Sequence, residues 1–417
     1  MKKVLLIAFY FNQQNEIGSK RLRAIAEYLN NFNWEPIVVV PKLSNKPQNI
    51  PDIKVIETDY IDMLDKWLNR KPNFDNQAIN TQTNENKITK NLIHIAGELF
   101  AYPDGMKYWY EPAFKATSDI IEKEEIDAII SSSWPITSHK IAHNLKLKYN
   151  IPWIADLRDL WNMNPYISHN FIRQYFEKRL EIKTFSNVDA LTTTTPLASK
   201  KLQTLHPDKL IKTIYSGYDL RDFENLKENS SDDKLNFIYA GSLYNGRRDP
   251  SLFFKAINEL ISENKIDKNK IAIDFYGDND NLSDLSSKFN IKDLVHIHGK
   301  IPYNEVLQKE KNSDILLLIS WMNKKEEIFI PGKVYEYMAL KKPVLSIGYE
   351  KGALKDLINE TDIGVHVSTL EYTKIAIYNY YKEFIKDNKL NYNGRIDDFS
   401  NYNMSKSFSE LLNQVIK

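Results

Sequence analysis

Apolar runs of roughly four to eight residues alternate with amphipathic stretches along nearly the whole chain. Continuous apolar runs of this kind are typical of strands buried on both faces of a parallel sheet. The stretches between them carry the period of surface helices. This alternation predicts parallel sheets joined by right-handed helical crossovers. The predicted strands are KVLLIAFY, EPIVVV, KVIET, DAIISSS, PWIADL and ALTTTT, followed later in the chain by LNFIYAG, IAIDFYG, VHIHG, DILLLIS, PVLSIG and GVHV.

A polar stretch separates these two series of strands. Residues 224–234, ENLKENSSDDK, are rich in charge, Ser and Asn and indicate a linker. We therefore predict an α/β protein with two Rossmann-like, doubly wound parallel-sheet domains facing a cleft. The predicted domains are 1–215 and 235–395, joined by a linker at 216–234, with the terminal helix 396–417 packing back on the first domain. Residues 66–92 are rich in Asn and interrupt the pattern, which predicts a mobile excursion.

Composition narrows the class of protein. A chain of 417 residues is too long for one ordinary core and suits two domains. Its net charge of +1 gives no overall electrostatic field that would attract nucleic acid. The absence of cysteine excludes a disulfide framework and a thiolate metal site. The N-terminal MKKVLLIAFYFNQQ imitates a signal peptide but lacks a small-residue cleavage site. We expect a cytoplasmic protein, with peripheral contact at the inner face of the cell membrane left open.

The loop after the first strand of the second series predicts a phosphate site. Gly241 ends the strand, the small Ser242 follows, and Arg247 and Arg248 precede a helix that Asp249 and Pro250 open as N-cap and first residue. Glycine permits close backbone approach, a helix start offers free N–H groups, and arginine gives a fixed fork of donors. Together these features suit a pyrophosphate. The alternative is a helix start with solvated arginines.

Further loops at strand ends carry related features. Gly277 ends the next strand, and the turn at Gly299 and Lys300, with Ile301, is of a kind that holds a base against a sheet edge. A plain connecting loop explains this segment equally well. Residues 330–345, IPGKVYEYMALKKPVL, place Pro331 and Gly332 at a helix start. Lys333 can reach a phosphate, and Glu336, favoured there by the helix dipole, can accept hydrogen bonds from a ribose. The alternative is an exposed Lys–Glu pair.

The order of these motifs resembles the C-terminal domain of GT-B glycosyltransferases, in particular the large retaining family described as family 4-like, or group 1. The resemblance implies that Arg247, six residues after the strand-end glycine, binds the donor diphosphate and that Glu336 binds the donor ribose. Two positions depart from the family. Ser242 replaces a second basic residue, for which Arg248 can compensate. Ile328 replaces the first of two glutamates, with Glu326 and Glu327 beside it.

The first domain carries matching features on its own strand ends. Gly18 matches the family's glycine loop, although a simple strand-to-helix turn explains it as well. The segment PWIADLRDLW resembles a subgroup of bacterial surface-polysaccharide enzymes, and it crowds charged side chains into one strand end. Asp159 would face the donor sugar or the acceptor hydroxyl, while Arg158 stands where many family members have His. The alternative is a structural ion pair, either Asp156–Arg158 or Arg158–Asp159.

The segment FAYPDGMKYWYEPA, residues 100–113, is dense in aromatic side chains that could stack on sugar rings or touch a lipid carrier, with core packing as the alternative. The predicted catalytic residues are Asp159, Arg158 and Glu327, and the predicted acceptor-binding residues are Trp134, His139, Trp161 and Trp109. The predicted donor-binding residues are Gly18, Gly241, Ser242, Arg247, Arg248, Gly277, Lys300, Ile301, Gly332, Lys333, Val334 and Glu336.

We accordingly expect transfer of a sugar from a nucleotide diphosphate donor, with uridine as the expected base, to a saccharide or lipid-linked acceptor. No Asp-x-Asp stands in a plausible metal loop, so neither a metal nor another cofactor is expected. Retention of anomeric configuration is implied by the resemblance alone. Two other interpretations stay open: a nucleotide-sugar 2-epimerase of the same architecture, and a non-catalytic protein that binds sugar nucleotides. A dehydrogenase is disfavoured because no Gly-x-Gly-x-x-Gly follows the first strand.

Overall fold

The computed structural model describes residues 1–11, 17–43, 53–60, 102–167, 169–228, 233–278 and 281–417. The excursion predicted at 66–92 lies outside the described residues. The chain divides into two compact units. The first comprises Met1–Thr194, Ser199–Ile214 and Ser405–Lys417, and the second comprises Thr195–Ala198 and Tyr215–Met404.

The first unit is built on a parallel sheet of seven strands in the order β3-β2-β1-β4-β5-β6-β7. Every strand predicted from the apolar runs is present, and the three-residue β7 is an addition. The strands are β1 (Lys2–Ile7), β2 (Trp34–Pro41), β3 (Lys54–Thr58), β4 (Ala128–Ser132), β5 (Trp153–Leu157), β6 (Ala190–Thr193) and β7 (Ile211–Thr213). The described helices between them are α1 (Ile17–Leu29), α2 (Tyr110–Lys123), α3 (Thr137–Tyr149), α4 (Phe171–Thr184) and α5 (Pro196–Leu205).

The second unit is built on a parallel sheet of six strands in the order β10-β9-β8-β11-β12-β13. All six were predicted from the apolar runs. The strands are β8 (Leu235–Ala240), β9 (Ile271–Tyr276), β10 (Val295–Gly299), β11 (Ile315–Ile319), β12 (Val344–Ile347) and β13 (Gly364–Val367). The helices are α6 (Ser251–Ser262), α7 (Leu282–Lys288), α8 (Tyr303–Lys311), α9 (Lys333–Leu340), α10 (Ala353–Thr361) and α11 (Leu370–Asp387).

The central strands β8, β11 and β12 of the second sheet are buried on both faces, which is why they form continuous apolar runs in the sequence. Along β8, Phe237 and Tyr239 join a core cluster on one face, with Phe254 of α6. Ile238 and Ala240 join a separate cluster on the other face, which includes Tyr337 of α9 and Ile358 of α10. The predicted α/β class with doubly wound parallel sheets is therefore confirmed.

The last helix, α12 (Asn401–Val415), closes the chain against the first unit. Ser405 Oγ donates to the Ala24 carbonyl at 3.2 Å, and the Phe408 side chain is fully buried. Among the described residues, no helix combines the length and apolarity that crossing a membrane requires.

In each sheet the strand order reverses beside one strand. The reversal lies between β1 and β4 in the first sheet and between β8 and β11 in the second. In doubly wound sheets the loops at the carboxyl ends of these strands diverge and leave a crevice where ligands bind. The candidate residues are therefore described below at each of these two switch points.

Candidate functional site

Two glycines bring neighbouring strand ends of the second sheet into close contact. Gly241 N–H donates to the Tyr276 carbonyl at 2.9 Å, and Gly277 N–H donates to the Gly299 carbonyl at 2.7 Å. Gly277 has φ +114°, and a Cβ there would lie 2.4 Å from the Gly241 carbonyl oxygen. A side chain at Gly277 would therefore push the two strand ends apart.

The turn from β8 to α6 has three successive residues with left-handed backbone: Tyr244 with φ 50°, Asn245 with φ 52° and Gly246 with φ 82°. Tyrosine rarely adopts this conformation, and such outliers cluster at ligand sites. Asp249 Oδ1 accepts from Ser251 N–H at 2.9 Å, as a capping side chain does. The helix itself begins at Ser251 rather than at the predicted Pro250.

Both predicted phosphate-binding arginines lie on this turn. Arg247 is exposed, and its guanidinium carbon lies 5.5 Å from the ring centroid of Trp321, which follows β11 across the switch point. Arg248 lies 4.5 Å from the ring centroid of Tyr244. Stacking on an aromatic ring fixes a guanidinium plane while leaving its N–H edge available to an anion. The turn and the loop after β11 thus jointly place a basic edge at the switch point, and Trp321 is a partner that the sequence did not identify.

Helix α9 follows β11 at the same switch point and begins at Lys333, two residues after the predicted Pro331. Gly332 is exposed, and a Cβ there would meet nothing within 4 Å, so the space in front of the helix start is open. Glu336 lies in the first turn, where its Oε1 accepts from the Tyr303 hydroxyl at 2.9 Å. Burial, followed by the nearby Glu336 carboxylate, raises the pKa of Tyr303, so this hydroxyl remains a hydrogen-bond donor.

Lys333 is held by groups below the helix start. Its ammonium donates to the Ala240 carbonyl at the end of β8 and lies 3.3 Å from Glu310 Oε1. The Glu310 side chain is fully buried, and burial raises its pKa to about 7 against the opposing effect of Lys333. Lys333 thus bonds the end of β8 and Glu310, while Glu336 bonds Tyr303. The alternative of an exposed Lys–Glu pair does not describe these contacts. Val334, the next residue, is buried in the core.

Other predicted donor residues lie on adjoining loops. Ser242 follows Gly241 directly, and its carbonyl accepts from the Tyr239 hydroxyl at 3.0 Å. Lys300 pairs with Asp278 from the loop after β9, and both side chains are exposed. Ile301 packs against the core cluster around α9.

Glu327, the predicted catalytic glutamate, lies in a short 3-10 helix, Lys324–Ile328. Its main chain lies close to Gly352, where a Cβ would be 2.5 Å from the Glu327 carbonyl oxygen. Burial raises the pKa of the neighbouring Glu326 to about 7. Ile328, which replaces the family's first glutamate, is buried, and its carbonyl accepts from Thr195 Oγ1 at 2.8 Å.

At the switch point of the first sheet, Arg158 joins three loops. Its Nε donates to the Ser133 carbonyl after β4 at 2.8 Å, and its Nη1 donates to the Gly18 carbonyl in the first turn of α1. Trp134 follows Ser133 directly and is half-buried. Burial raises the pKa of the adjacent Asp159 carboxyl, and the Arg158 charge opposes that rise. The structure thus gathers Gly18, Trp134, Arg158 and Asp159 in one place.

Arg158, considered as an ion-pair partner of Asp156, is not the main partner of that carboxylate, which bonds Arg21 instead. The fully buried Asp156 carboxylate accepts from Arg21 Nε at 3.1 Å and from Arg21 Nη2 at 3.0 Å. Thr192 Oγ1 donates at 2.7 Å and Ser132 Oγ at 3.1 Å. Although burial raises the pKa of Asp156, Arg21, the Thr192 hydroxyl and the Arg158 charge outweigh it and lower the pKa below its ordinary value. The pairing joins β5 to α1, leaving Arg158 free to bond the loops described above.

Three predicted acceptor-binding residues lie in the core instead. Trp109 is fully buried, and its Nε1 donates to Thr58 Oγ1 at 2.8 Å. Trp161 Nε1 donates to Glu177 Oε2 at 2.6 Å. His139 is also fully buried, because α3 turns this face onto the sheet, and burial lowers its pKa to about 3. Core packing, the alternative considered for the aromatic segment 100–113, describes Trp109, and Trp161 and His139 are buried in the same way.

The titratable side chains form no metal-type cluster in the part of the chain that the structure describes. No group of three or more His, Cys, Asp or Glu residues is placed there to hold a metal ion. Metal independence stays a prediction, which requires a direct measurement.

With this geometry in place, comparison with known proteins adds a family match. Residues 234–378 match the family model "Glycosyl transferases group 1". The group 1 match covers the second sheet through β13 and includes Gly241, Arg247, Lys333 and Glu336. No curated protein sequence matches the chain.

Solved structures share the fold over the whole chain at low sequence identity. Sucrose-phosphate synthase from Thermosynechococcus elongatus is 14% identical with a TM-score of 0.56, covering 100% of this chain and 95% of that one. A structure described as "Trehalose-6-phosphate from E. coli bound with UDP-2-fluoro glucose" is 9% identical with a TM-score of 0.61, covering 99% of each chain. A putative UDP-N-acetylglucosamine 2-epimerase from Listeria monocytogenes is 11% identical with a TM-score of 0.50, covering 99% and 96%. These similarities establish the fold alone.

Proposed function

We propose that this protein is a glycosyltransferase that moves a sugar from a nucleotide diphosphate donor, with uridine as the expected base, to a saccharide or lipid-linked acceptor. The observation that carries the proposal is the convergence at the β8–β11 switch point. There the Arg247 turn contacts Trp321 after β11, Lys333 at the start of α9 bonds the end of β8, and a Cβ on Gly332 would meet nothing within 4 Å. The group 1 match over residues 234–378 supports the same interpretation.

The chemistry follows from the charges at this site. The leaving diphosphate gains negative charge as the glycosidic bond to the donor breaks, and preorganised cationic and N–H donors stabilise that charge. Arg247 and Arg248 supply guanidinium groups, and Lys333 supplies an ammonium beside the β8 end. Glu336 holds the ribose hydroxyls. These groups suit transfer without a cation, and the resemblance to the retaining family favours retention of configuration.

The first unit provides the acceptor side and the candidate general acid–base group. Asp159 is the carboxylate in question: it lies beside Arg158 at the switch point of the first sheet, where burial raises its pKa and the Arg158 charge opposes that rise. Glu327 is the second candidate for contact with the donor sugar. A role in assembly of a bacterial polysaccharide or glycoconjugate belongs to this proposal and rests on the resemblance of PWIADLRDLW to that subgroup.

An epimerase of the same architecture is the second candidate, favoured by the shared fold of the Listeria monocytogenes protein. Incubation with a panel of UDP-sugars, with and without acceptor extracts, distinguishes the possibilities. Acceptor-dependent release of UDP supports transfer, and acceptor-independent isomerisation of the sugar supports the epimerase. Binding without either reaction indicates a non-catalytic protein, and unchanged release after addition of a chelator supports metal independence.

A further inference from the structure

Helix α4 in the first unit has its polar and apolar faces reversed relative to an ordinary surface helix. Such a helix normally turns an apolar stripe to the core and polar residues to water. In α4 the buried residues are Glu177, Glu181 and Thr184. The exposed ones include Phe171, Ile172, Tyr175, Phe176 and Ile182, with exposed fractions of 80%, 55%, 55%, 54% and 43%.

The buried polar stripe is anchored by specific bonds, so the orientation of α4 is fixed. Glu177 accepts from Trp161 Nε1 at 2.6 Å and from Arg173 Nε at 3.2 Å. Glu181 accepts from the Asn162 N–H at 3.0 Å. Rotating the helix to hide its aromatic residues would break these bonds and expose the core side of Trp161. The outward apolar face is therefore a built feature of the fold.

The charge of the outward face is uniformly basic. Both acidic residues of α4 are among its buried ones, whereas Lys178, Arg179 and Lys183 are exposed. The apolar residues concentrate in the first six positions of the helix, and the basic ones follow in its second half. Aromatic side chains beside lysine and arginine, without carboxylates, are the pattern of helices that lie in the headgroup region of a bilayer.

We propose that the exposed face of α4, defined by Phe171, Ile172, Tyr175, Phe176, Lys178, Arg179 and Lys183, docks the protein on an anionic lipid bilayer. The apolar end inserts between headgroups, and the basic residues contact lipid phosphates and anionic headgroups. This occupant fits better than a second copy of the chain, because two copies of this face would bring like charges together around a two-fold axis. The proposal is independent of the proposed transfer reaction.

The absence of cysteine from the chain permits a site-specific test on the full-length protein. Ile172→Cys on α4 is labelled with an environment-sensitive fluorophore and mixed with vesicles of phosphatidylcholine containing 30% phosphatidylglycerol. The matched control is Tyr372→Cys on α11, a position that is 64% exposed in the second unit. We expect a blue shift and a several-fold intensity gain at position 172, a smaller change at position 372, and loss of both changes with pure phosphatidylcholine or high salt.

Vesicle sedimentation of unlabelled variants gives the second measurement. Phe171→Ser with Phe176→Ser should weaken binding at least tenfold, and Lys178→Glu with Arg179→Glu should abolish its dependence on anionic lipid. The control, Tyr372→Ser with Ile375→Ser, removes exposed apolar surface from α11 and should leave binding within twofold. Equal binding by all three variants, no binding by the parent chain, or a change in oligomeric state in place of vesicle binding would overturn the proposal. Because the assay contains no sugar nucleotide, failure of the transfer reaction would not affect its outcome.

Discussion

Replacing Glu310 by glutamine should stabilise the second unit relative to the parent chain, and this gain in the free energy of unfolding should be larger at neutral pH than at acidic pH. The Glu310 carboxyl is fully buried on α8, Oε1 lies 3.3 Å from Lys333 Nζ, and Oε2 has no hydrogen-bond partner among the residues that the structure describes. Burial is the largest cause of the rise in its pKa to about 7, Lys333 opposes it, and the Glu336 charge adds to it. The side chain at position 310 therefore resists ionisation.

The magnitude follows from that rise. Raising a carboxyl pKa from 4.5 to about 7 corresponds to roughly 3 kcal/mol for keeping the group ionised in the folded state. Below pH 4.5 the carboxyl is protonated in both states and this cost is absent. Between pH 4.5 and 7 the unfolded chain releases the proton while the folded chain keeps it, so stability falls as pH rises. Above pH 7 the full cost applies.

Thermal unfolding of the parent chain and of Glu310→Gln at pH 5, 6, 7 and 8 measures this effect. Glutamine does not titrate, so its advantage should grow from pH 5 to pH 8 by about 2.5 kcal/mol, or roughly 5–10 °C in the transition of the second unit. The pKa of about 7 already includes the attraction of Lys333, so exchanging the protonated carboxyl for an amide adds only an offset that does not vary over this range. Glu305→Gln, an exposed acid on the same helix, is the control and should track the parent chain. A stability difference for Glu310→Gln that is constant from pH 5 to 8 would refute the reasoning.

Three further substitutions test other parts of the structure. Asp156→Ala leaves the buried Arg21 guanidinium without its carboxylate and should lower the free energy of unfolding by roughly 3–5 kcal/mol. Denaturant melts measure this change, and a loss under about 1 kcal/mol would contradict the buried pair. Gly277→Ala should destabilise the second unit by at least about 2 kcal/mol, because this residue has φ +114° and its Cβ would lie 2.4 Å from the Gly241 carbonyl oxygen. The control Gly332→Ala, whose Cβ would meet nothing within 4 Å, should melt like the parent chain. His139→Ala should reduce stability by roughly 2 kcal/mol without changing the KM for acceptor; a KM effect at full stability would restore the acceptor role to this histidine.

Most of the fold was predictable from the sequence because parallel strands buried on both faces have a strong local signature. The one strand missed in the described residues, β7 with the sequence IKT, has three residues and lies at the sheet edge, so it carries almost no periodicity. The cleft expected between the domains stays a prediction.

The positions of the candidate residues in the fold were predictable where local sequence sets the geometry, while their roles stay predictions. Arg247, Glu336 and the strand-end glycines lie at the switch point because the order of strands and loops puts them there. The side chains that bond other candidate residues could not be found from the sequence, because such bonds join distant segments. Arg21, the partner of Asp156, lies 135 residues away from it. Glu310, the partner of Lys333, lies in the segment LQKEKNSD, where it resembles an ordinary surface charge.

Aromatic side chains were the least predictable part of the first unit. Trp109 and Trp161 stand in polar, aromatic-rich segments that suit either a sugar platform or a core. The deciding factor is a distant polar partner: Thr58 for Trp109 and Glu177 for Trp161. The same contact with Glu177 orients α4 with its apolar face outward.

The most direct test of the central claim is a crystal structure of this chain with a bound uridine diphosphate sugar, determined without added divalent cation. The account predicts the diphosphate within hydrogen-bonding distance of Arg247 and the turn at Ser242–Gly246, with the ribose hydroxyls on Glu336. Arg247→Ala should weaken binding of the same ligand by roughly a hundredfold. Arg395→Ala, an exposed arginine whose Nη2 donates to the Glu360 carbonyl near the end of α10, should not weaken it. A nucleotide bound away from the start of α9, or equal affinity in both variants, would contradict the account.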